Sequence, residues 1–138
     1  MGGRLGQGWS AVEASKLVGV SYKQLDYWAH KDLLSPSIDQ GRGSGGRRVY
    51  SYTDLLVLKV VERLVSAGVS PLSTRQAVEC LRSSGYAWDG RLLIGDGHSV
   101  VVRSDKELLS EMVRGSGLGV VVDLGKVVSE VDGALRGE

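Results

Sequence analysis

The sequence predicts an α+β protein of two modules, one within residues 9–84 and a smaller one within residues 86–138. The first module is a series of capped amphipathic helices interrupted by one segment rich in Gly and Arg, whereas the second carries short Val- and Leu-rich runs of strand length. The charge also changes sign: residues 1–83 hold eleven Lys and Arg against seven Asp and Glu, and residues 84–138 hold six against nine. A basic first module favours a polyanionic partner, although two unevenly charged solvated surfaces would give the same balance.

Two short helices separated by a tight turn open the first module. Ser10 with Glu13, and Ser21 with Gln24, have the spacing of capping boxes, which satisfy the free N–H groups at a helix start. Gly19 ends the first helix and permits the positive φ that a tight turn needs. The pair is therefore interpreted as a helix-turn-helix.

The second helix has an apolar and a polar face. The residues predicted to face inward are Tyr22, Leu25, Trp28 and Ala29, and those predicted to face outward are Lys23, Asp26, Tyr27 and His30. Lys23 and Tyr27 lie four residues apart and share a face. A cation beside a phenol suits contacts to the phosphates and base edges of DNA, whereas an ordinary αα-hairpin with a solvated face is the alternative.

A polar segment at residues 41–50 follows the helix pair and carries Arg42, Arg47 and Arg48. Short apolar runs flank its glycines, which is typical of a β-hairpin with a flexible tip. A phosphate-binding P-loop is excluded, because no Gly-Lys-Ser/Thr follows and no helix begins there. Its position after a helix-turn-helix identifies residues 37–50 as a wing, with a plain loop as the alternative.

Two longer helices complete the first module. Ser51 and Asp54 form a cap pair before apolar residues that recur at helical spacing, and Gly68 ends that helix. Ser70 and Pro71 then supply an N-cap and a proline at the first position of a fourth helix.

Four short motifs occur in a fixed order within residues 9–82. They read GVSYKQLDYW at residues 19–28, LLSP at 33–36, RRVYSYTDL at 47–55 and GVS at 68–70. In this order they resemble the GVS-x-x-x-L-R-Y-Y/W, G-L-L-x-P, R-x-Y-x-x-x-D-L and G-V/M-S motifs of the MerR family of bacterial transcription regulators. The QLDYW segment and the GxGSGxRRxYS wing are most similar to an actinobacterial-type branch of that family.

The resemblance implies a winged helix-turn-helix that binds double-stranded DNA at an inverted repeat in a promoter. It also implies a homodimer that distorts the DNA and so acts on RNA polymerase. The residues expected to contact DNA are Ser21, Tyr22, Lys23, Asp26, Tyr27, His30, Arg42, Arg47, Arg48 and Tyr50. Asp26 departs from the family pattern, which often has arginine there; an aspartate can accept a hydrogen bond from cytosine but repels phosphate.

The second module is predicted to have the element order ββαβα. Asp96-Gly97 between two short apolar runs is a strong hairpin signal, and Ser104 with Glu107 repeats the capping-box spacing. The predicted elements are strands at 91–94 and 99–102, a helix at 104–113, a strand at 118–123 and a helix at 124–135.

This module is expected to hold the dimer together, because no coiled-coil heptads follow Leu81. Its ~53 residues give a marginal core, so we expect this module to pack on the first module, on a second copy of the chain, or on both. The expected contact residues are Val120, Val122, Leu124, Val127, Val128, Val131 and Leu135. The alternatives are an effector-binding domain, an excisionase-like architectural protein, and an antitoxin or adaptor whose second module binds another protein.

The composition argues against several other classes. No apolar run approaches the ~20 residues of a membrane span, and no apolar stretch follows Met1 as in a secretory signal. Cys80 is the one cysteine, so no internal disulfide and no multi-thiolate metal site is expected. No cofactor is expected either. Asp96, His98 and Ser99 share one turn and cannot orient one another as a catalytic set. We therefore expect a cytoplasmic, nucleoid-associated protein that is not an enzyme and has no membrane partner.

Overall fold

The computed structural model describes residues 8–31, 33–37, 39–40, 48–83, 88–95, 100–104, 106–107 and 118–137. The chain divides into two compact units, Met1–Lys59 with Val131–Glu138, and Val60–Glu130. The first unit therefore includes the last residues of the chain, which the sequence assigns to the second module. A boundary near residue 85 stays a prediction.

The predicted helix pair is confirmed as α1 (Ala11–Val18) and α2 (Tyr22–His30). The capping box at the start of α1 is complete: the Ser10 N–H donates to Glu13 Oε1 at 2.9 Å, and the Glu13 N–H donates to Ser10 Oγ at 3.2 Å. Gly19 ends α1 with a φ of 87°, in the left-handed region that a Cβ disfavours. The turn between the helices thus depends on this glycine.

The core of the first unit lies between these helices and the wing. Its buried apolar residues include Ala14, Val18, Leu25, Trp28, Leu34, Val49, Tyr50 and Leu55. The inward prediction was wrong for Tyr22, whose side chain is half exposed. Tyr22 is the first residue of α2, and at this end of the helix its side chain lies at the edge of the buried face.

A three-stranded antiparallel sheet forms the wing base. It consists of β1 (Trp9–Ser10), β2 (Asp39–Gln40) and β3 (Arg48–Tyr50), in the order β1-β3-β2. Gln40 lies opposite Arg48, and Trp9 lies opposite Tyr50. The hairpin prediction is confirmed at its base, and its tip at 41–47 lies outside the described residues. The sequence did not predict β1, because two residues carry no periodic signal.

A buried carboxylate fixes the point where the chain leaves the wing and enters α3 (Tyr52–Ser66). Asp54 Oδ2 accepts hydrogen bonds from the Ser37 N–H at 2.7 Å, from Ser37 Oγ at 2.8 Å and from the Ser51 N–H at 2.9 Å. Ser51 Oγ in turn accepts from the Asp54 N–H at 3.0 Å. The predicted cap pair is therefore confirmed, and it also ties down the start of the wing.

The second unit contains α4 (Pro71–Ser83) and a second antiparallel sheet. This sheet has the order β5-β4-β6, with β4 at Arg91–Gly95, β5 at Val100–Arg103 and β6 at Leu118–Asp123. The predicted hairpin is confirmed, while its turn at 96–99 lies outside the described residues. The Ser104–Glu107 capping box is present, and the rest of the predicted helix, residues 108–113, is also outside them.

The final helix, α5 (Leu124–Leu135), follows β6 directly. In the second unit Arg63 of α3 pairs with Glu130. In the first unit the Tyr52 hydroxyl donates to Asp132 Oδ1 at 2.6 Å. Partial burial and this carboxylate raise the pKa of Tyr52 to about 12. Both units thus include a polar contact between α3 and α5.

Candidate nucleic-acid interface

The exposed face of α2 combines phenols with positively charged groups. Tyr22, Lys23, Tyr27 and His30 are exposed, and Tyr27 has 59% of its surface accessible. Lys31 Nζ lies 5.8 Å from the Tyr27 ring centroid, within cation–π range. Lys31 is absent from the predicted DNA-contacting set; its helical distance of four residues from Tyr27 is the signal that could have found it.

The N-terminus of α2 is capped by an exposed serine. Ser21 Oγ accepts a hydrogen bond from the Gln24 N–H at 3.0 Å. The N–H groups of the first turn have no carbonyl partner within an α-helix, so a helix start attracts phosphate oxygens. Ser21, Tyr22 and Lys23 therefore lie where a backbone phosphate of DNA would be favoured electrostatically.

Asp26 and Arg48 join α2 to the wing. Arg48 Nη1 lies 3.0 Å from Asp26 Oδ1, and the Arg48 guanidinium lies 5.5 Å from the Tyr22 ring centroid. The Arg48 side chain is only 11% exposed, whereas that of Asp26 is 43% exposed. The pairing with Asp26 and the nearby Tyr22 ring argue against a free Arg48 side chain reaching a DNA phosphate, and the DNA contact predicted for Arg48 stays a prediction.

His30 contacts the same aspartate from the end of α2. Its Nδ1 lies 2.9 Å from the Asp26 backbone oxygen and 3.5 Å from Asp26 Oδ2. The imidazole is nevertheless largely exposed. Asp26 thus lies between an arginine of the wing and a histidine of its own helix, which makes it a structural neighbour of both rather than an isolated negative charge.

Tyr50 is not on this surface. Its side chain is fully buried, and its hydroxyl has no hydrogen-bond partner among the described residues. Burial raises the pKa of Tyr50 to about 12. The structure thus places Tyr50 in the core, on the strand that pairs with both β1 and β2, and this argues against the DNA contact predicted for it. The other two wing arginines of the predicted set, Arg42 and Arg47, lie outside the described residues.

Most of the residues predicted to form a dimer contact belong to the chain's own core. Val122, Leu124, Val127 and Val131 are all buried within the single chain, which argues against direct dimer contacts for these four residues. More of these branched side chains are buried within the chain than we expected from a module of ~53 residues. Three residues of the set keep accessible surface, namely Val120, Val128 and Leu135.

Val121 of β6 is 45% exposed and was absent from the predicted dimer contact. Side chains alternate between the two faces of a strand, so burial of Val122 turns Val121 outward. Within the described sheet β6 is an edge strand. An exposed apolar residue on an edge strand is a feature that proteins commonly cover or protect.

The described residues offer neither a metal site nor a membrane-spanning helix. Among the described residues, no group of three or more His, Cys, Asp or Glu could hold a metal ion. Cys80 is a free, half-buried thiol. None of the helices in the described segments has the length and apolar character needed to cross a membrane.

Comparison with known proteins identifies the family of this chain. Residues 10–86 match the model of the MerR HTH family regulatory protein. An uncharacterized HTH-type transcriptional regulator of Mycobacterium bovis is 40% identical over 114 residues, which are 82% of this chain and 50% of that protein. Proteins of the same description from two Mycobacterium tuberculosis strains match equally. The chain thus spans about half the length of these relatives. The family match covers more than half of the 138 residues, and the chain belongs to the MerR HTH family.

Proposed function

We propose that this protein is a sequence-specific DNA-binding transcription regulator in which α2 is the recognition helix. The observation that carries this proposal is the exposed face of α2, with Lys23 and Tyr27 outward over a buried Leu25 and Trp28. Helix-turn-helix proteins place the N-terminal part of the second helix in the major groove. Membership of the MerR HTH family favours this role over an enzymatic one.

The contacts divide by chemistry. Lys23 and the N-terminus of α2 supply phosphate contacts, which give affinity without sequence information. Tyr27 and His30 supply groups able to reach base edges in the groove. Arg42 and Arg47 of the wing contact flanking backbone.

The protein acts as a homodimer on an inverted repeat, distorts the promoter and thereby affects RNA polymerase. Two reading heads at a fixed spacing are what a two-fold operator requires. The accessible apolar residues of the second module are the proposed contact: Val120, Val121, Val128 and Leu135. Such a regulator works in the cytoplasm at the nucleoid.

Selection of bound duplexes from a random DNA pool tests this function directly. We expect an inverted repeat to be enriched. Lys23→Ala should then weaken binding to the enriched site and lower the slope of log affinity against log salt by about one unit, because one phosphate contact is lost.

Lys126→Ala is the matched control, since Lys126 is an exposed lysine on α5 and lies outside the helix pair and the wing. It should leave both affinity and slope unchanged. Absence of any enriched sequence, or equal effects of the two lysine variants, would contradict the proposal. Capture of a stoichiometric protein partner without DNA binding would instead favour the adaptor alternative.

A further inference from the structure

We propose that Asp26 and Arg48 form a clamp that positions the wing on the recognition helix and so determines how well the protein distinguishes its operator from other DNA. This inference rests on the proposed function and deepens it. It assigns a positioning role to Asp26 and removes Arg48 from the direct DNA contacts.

The ion pair between Arg48 and Asp26 connects the wing sheet with α2. Arg48 lies on β3, the central strand of the wing sheet, and its backbone pairs with Gln40 of β2. Fixing Arg48 therefore fixes both strands of the hairpin. Asp26 lies at the middle of α2, and its 3.0 Å contact to Arg48 joins positions 22 residues apart in the chain. One ion pair thus connects the helix and the wing, the two elements proposed to touch DNA.

The Arg48 guanidinium has two neighbours on α2. The Arg48 guanidinium is paired with Asp26 on one side and lies near the Tyr22 ring on another. A planar guanidinium can do both at once, whereas the ammonium of lysine stacks poorly. Because the Arg48 side chain is only 11% exposed, solvent competes weakly for it. The arrangement restricts the position of Arg48 within the wing sheet.

Removal of the negative charge of Asp26 should affect DNA binding differently under the two possible roles of this residue. If Asp26 acted only as a negative charge near DNA, removing the charge would strengthen binding to every duplex, because repulsion of phosphate would fall. If Asp26 is a clamp, removing it frees Arg48 and the wing. Affinity for the operator then falls, while affinity for random DNA is unchanged or rises. The two explanations predict opposite signs at the operator.

The experiment measures the affinities of the full-length protein for the selected operator and for a random duplex at the same salt concentration. Asp26→Asn and Arg48→Gln should each lower the operator-to-random affinity ratio about tenfold, within the usual range for coupled contacting residues. The double variant should lower it no further than either single variant. Glu79→Gln, which removes the same charge from an exposed position on α4, should leave the ratio unchanged.

Arg48→Lys is the second variant, since it keeps the charge and loses the planar group. It should give an intermediate ratio and a thermal midpoint close to that of the wild type. A purely structural role would lower the thermal midpoint and the active fraction of every variant without changing the ratio, and that result overturns the clamp. An unchanged or increased ratio for Asp26→Asn also overturns it. A wild-type protein with no preference for any duplex overturns the proposed function itself, and the clamp with it.

Discussion

Asp54→Ala should destabilise the first unit more than any exposed substitution near it. The carboxylate is 1% exposed and accepts three hydrogen bonds, from the Ser37 N–H, Ser37 Oγ and the Ser51 N–H, at 2.7, 2.8 and 2.9 Å. A hydrogen bond to a charged group contributes roughly 1.5–3 kcal/mol, but bonds that share one acceptor atom do not add in full. We therefore expect a loss of about 3 kcal/mol, out of the roughly 5–15 kcal/mol by which proteins are usually stable.

Urea denaturation followed by circular dichroism measures this loss. Ser51→Ala is the matched comparison, because it removes the N-cap acceptor and leaves the carboxylate in place; its expected cost is about 1 kcal/mol. A smaller loss of unfolding free energy for Asp54→Ala than for Ser51→Ala would contradict this prediction. Ser37 and the wing would then be held by something other than the buried carboxylate.

Three further predictions concern the helix faces, the dimer and alkaline pH. Trp28→Ala should cost about 3–5 kcal/mol in a denaturation experiment, as truncation of a buried aromatic does, whereas Tyr27→Ala should stay within ~0.5 kcal/mol of the wild type; similar costs would mean that the faces of α2 are misassigned. Light scattering should show that Val121→Lys, which adds a charge to edge strand β6, is a monomer, while Leu72→Lys, at another exposed apolar residue, stays dimeric; a dimeric Val121→Lys protein moves the contact elsewhere. The pKa of Tyr52 is raised to about 12, above its unfolded value of ~10, so the neutral phenol stabilises the fold fully below pH ~10 and this contribution is lost as the pH rises towards 12. The difference in unfolding free energy between wild type and Tyr52→Phe should therefore shrink above pH ~10, and a constant difference would contradict the role given to this phenol.

Local chemistry explains why much of the fold could be predicted from the sequence. Ser10, Ser21 and Ser51 each begin a helix because a hydroxyl three residues before a free N–H is sufficient to cap it. The hairpin of the second module follows from its Asp-Gly turn signal and the apolar runs on either side. These signals act over a few residues, so they are visible without the structure.

Long-range pairing explains what could not be predicted. Tyr50 is buried on a strand that pairs with β1, a two-residue strand about forty positions earlier in the chain. The burial of Val127 and Val131 depends on residues distant in sequence that pack on α5, and these two valines belong to different compact units. Three-residue strands such as β3 carry too little alternation to show which side faces the core, so a tyrosine beside wing arginines is easily assigned to the surface.

Asp26 illustrates how a local rule and a tertiary contact give opposite interpretations of one residue. By the local rule, an acidic side chain on a DNA-facing helix weakens binding through repulsion of phosphate. In the fold, the Arg48 guanidinium lies 3.0 Å from Asp26, so much of the negative charge is compensated before DNA approaches. The same pairing removes one arginine from the surface that the sequence assigned to DNA. The aspartate in the helix and the arginine in the wing are therefore best considered as one unit. An Asp26→Arg substitution would place two guanidinium groups side by side and should free the wing rather than improve phosphate binding.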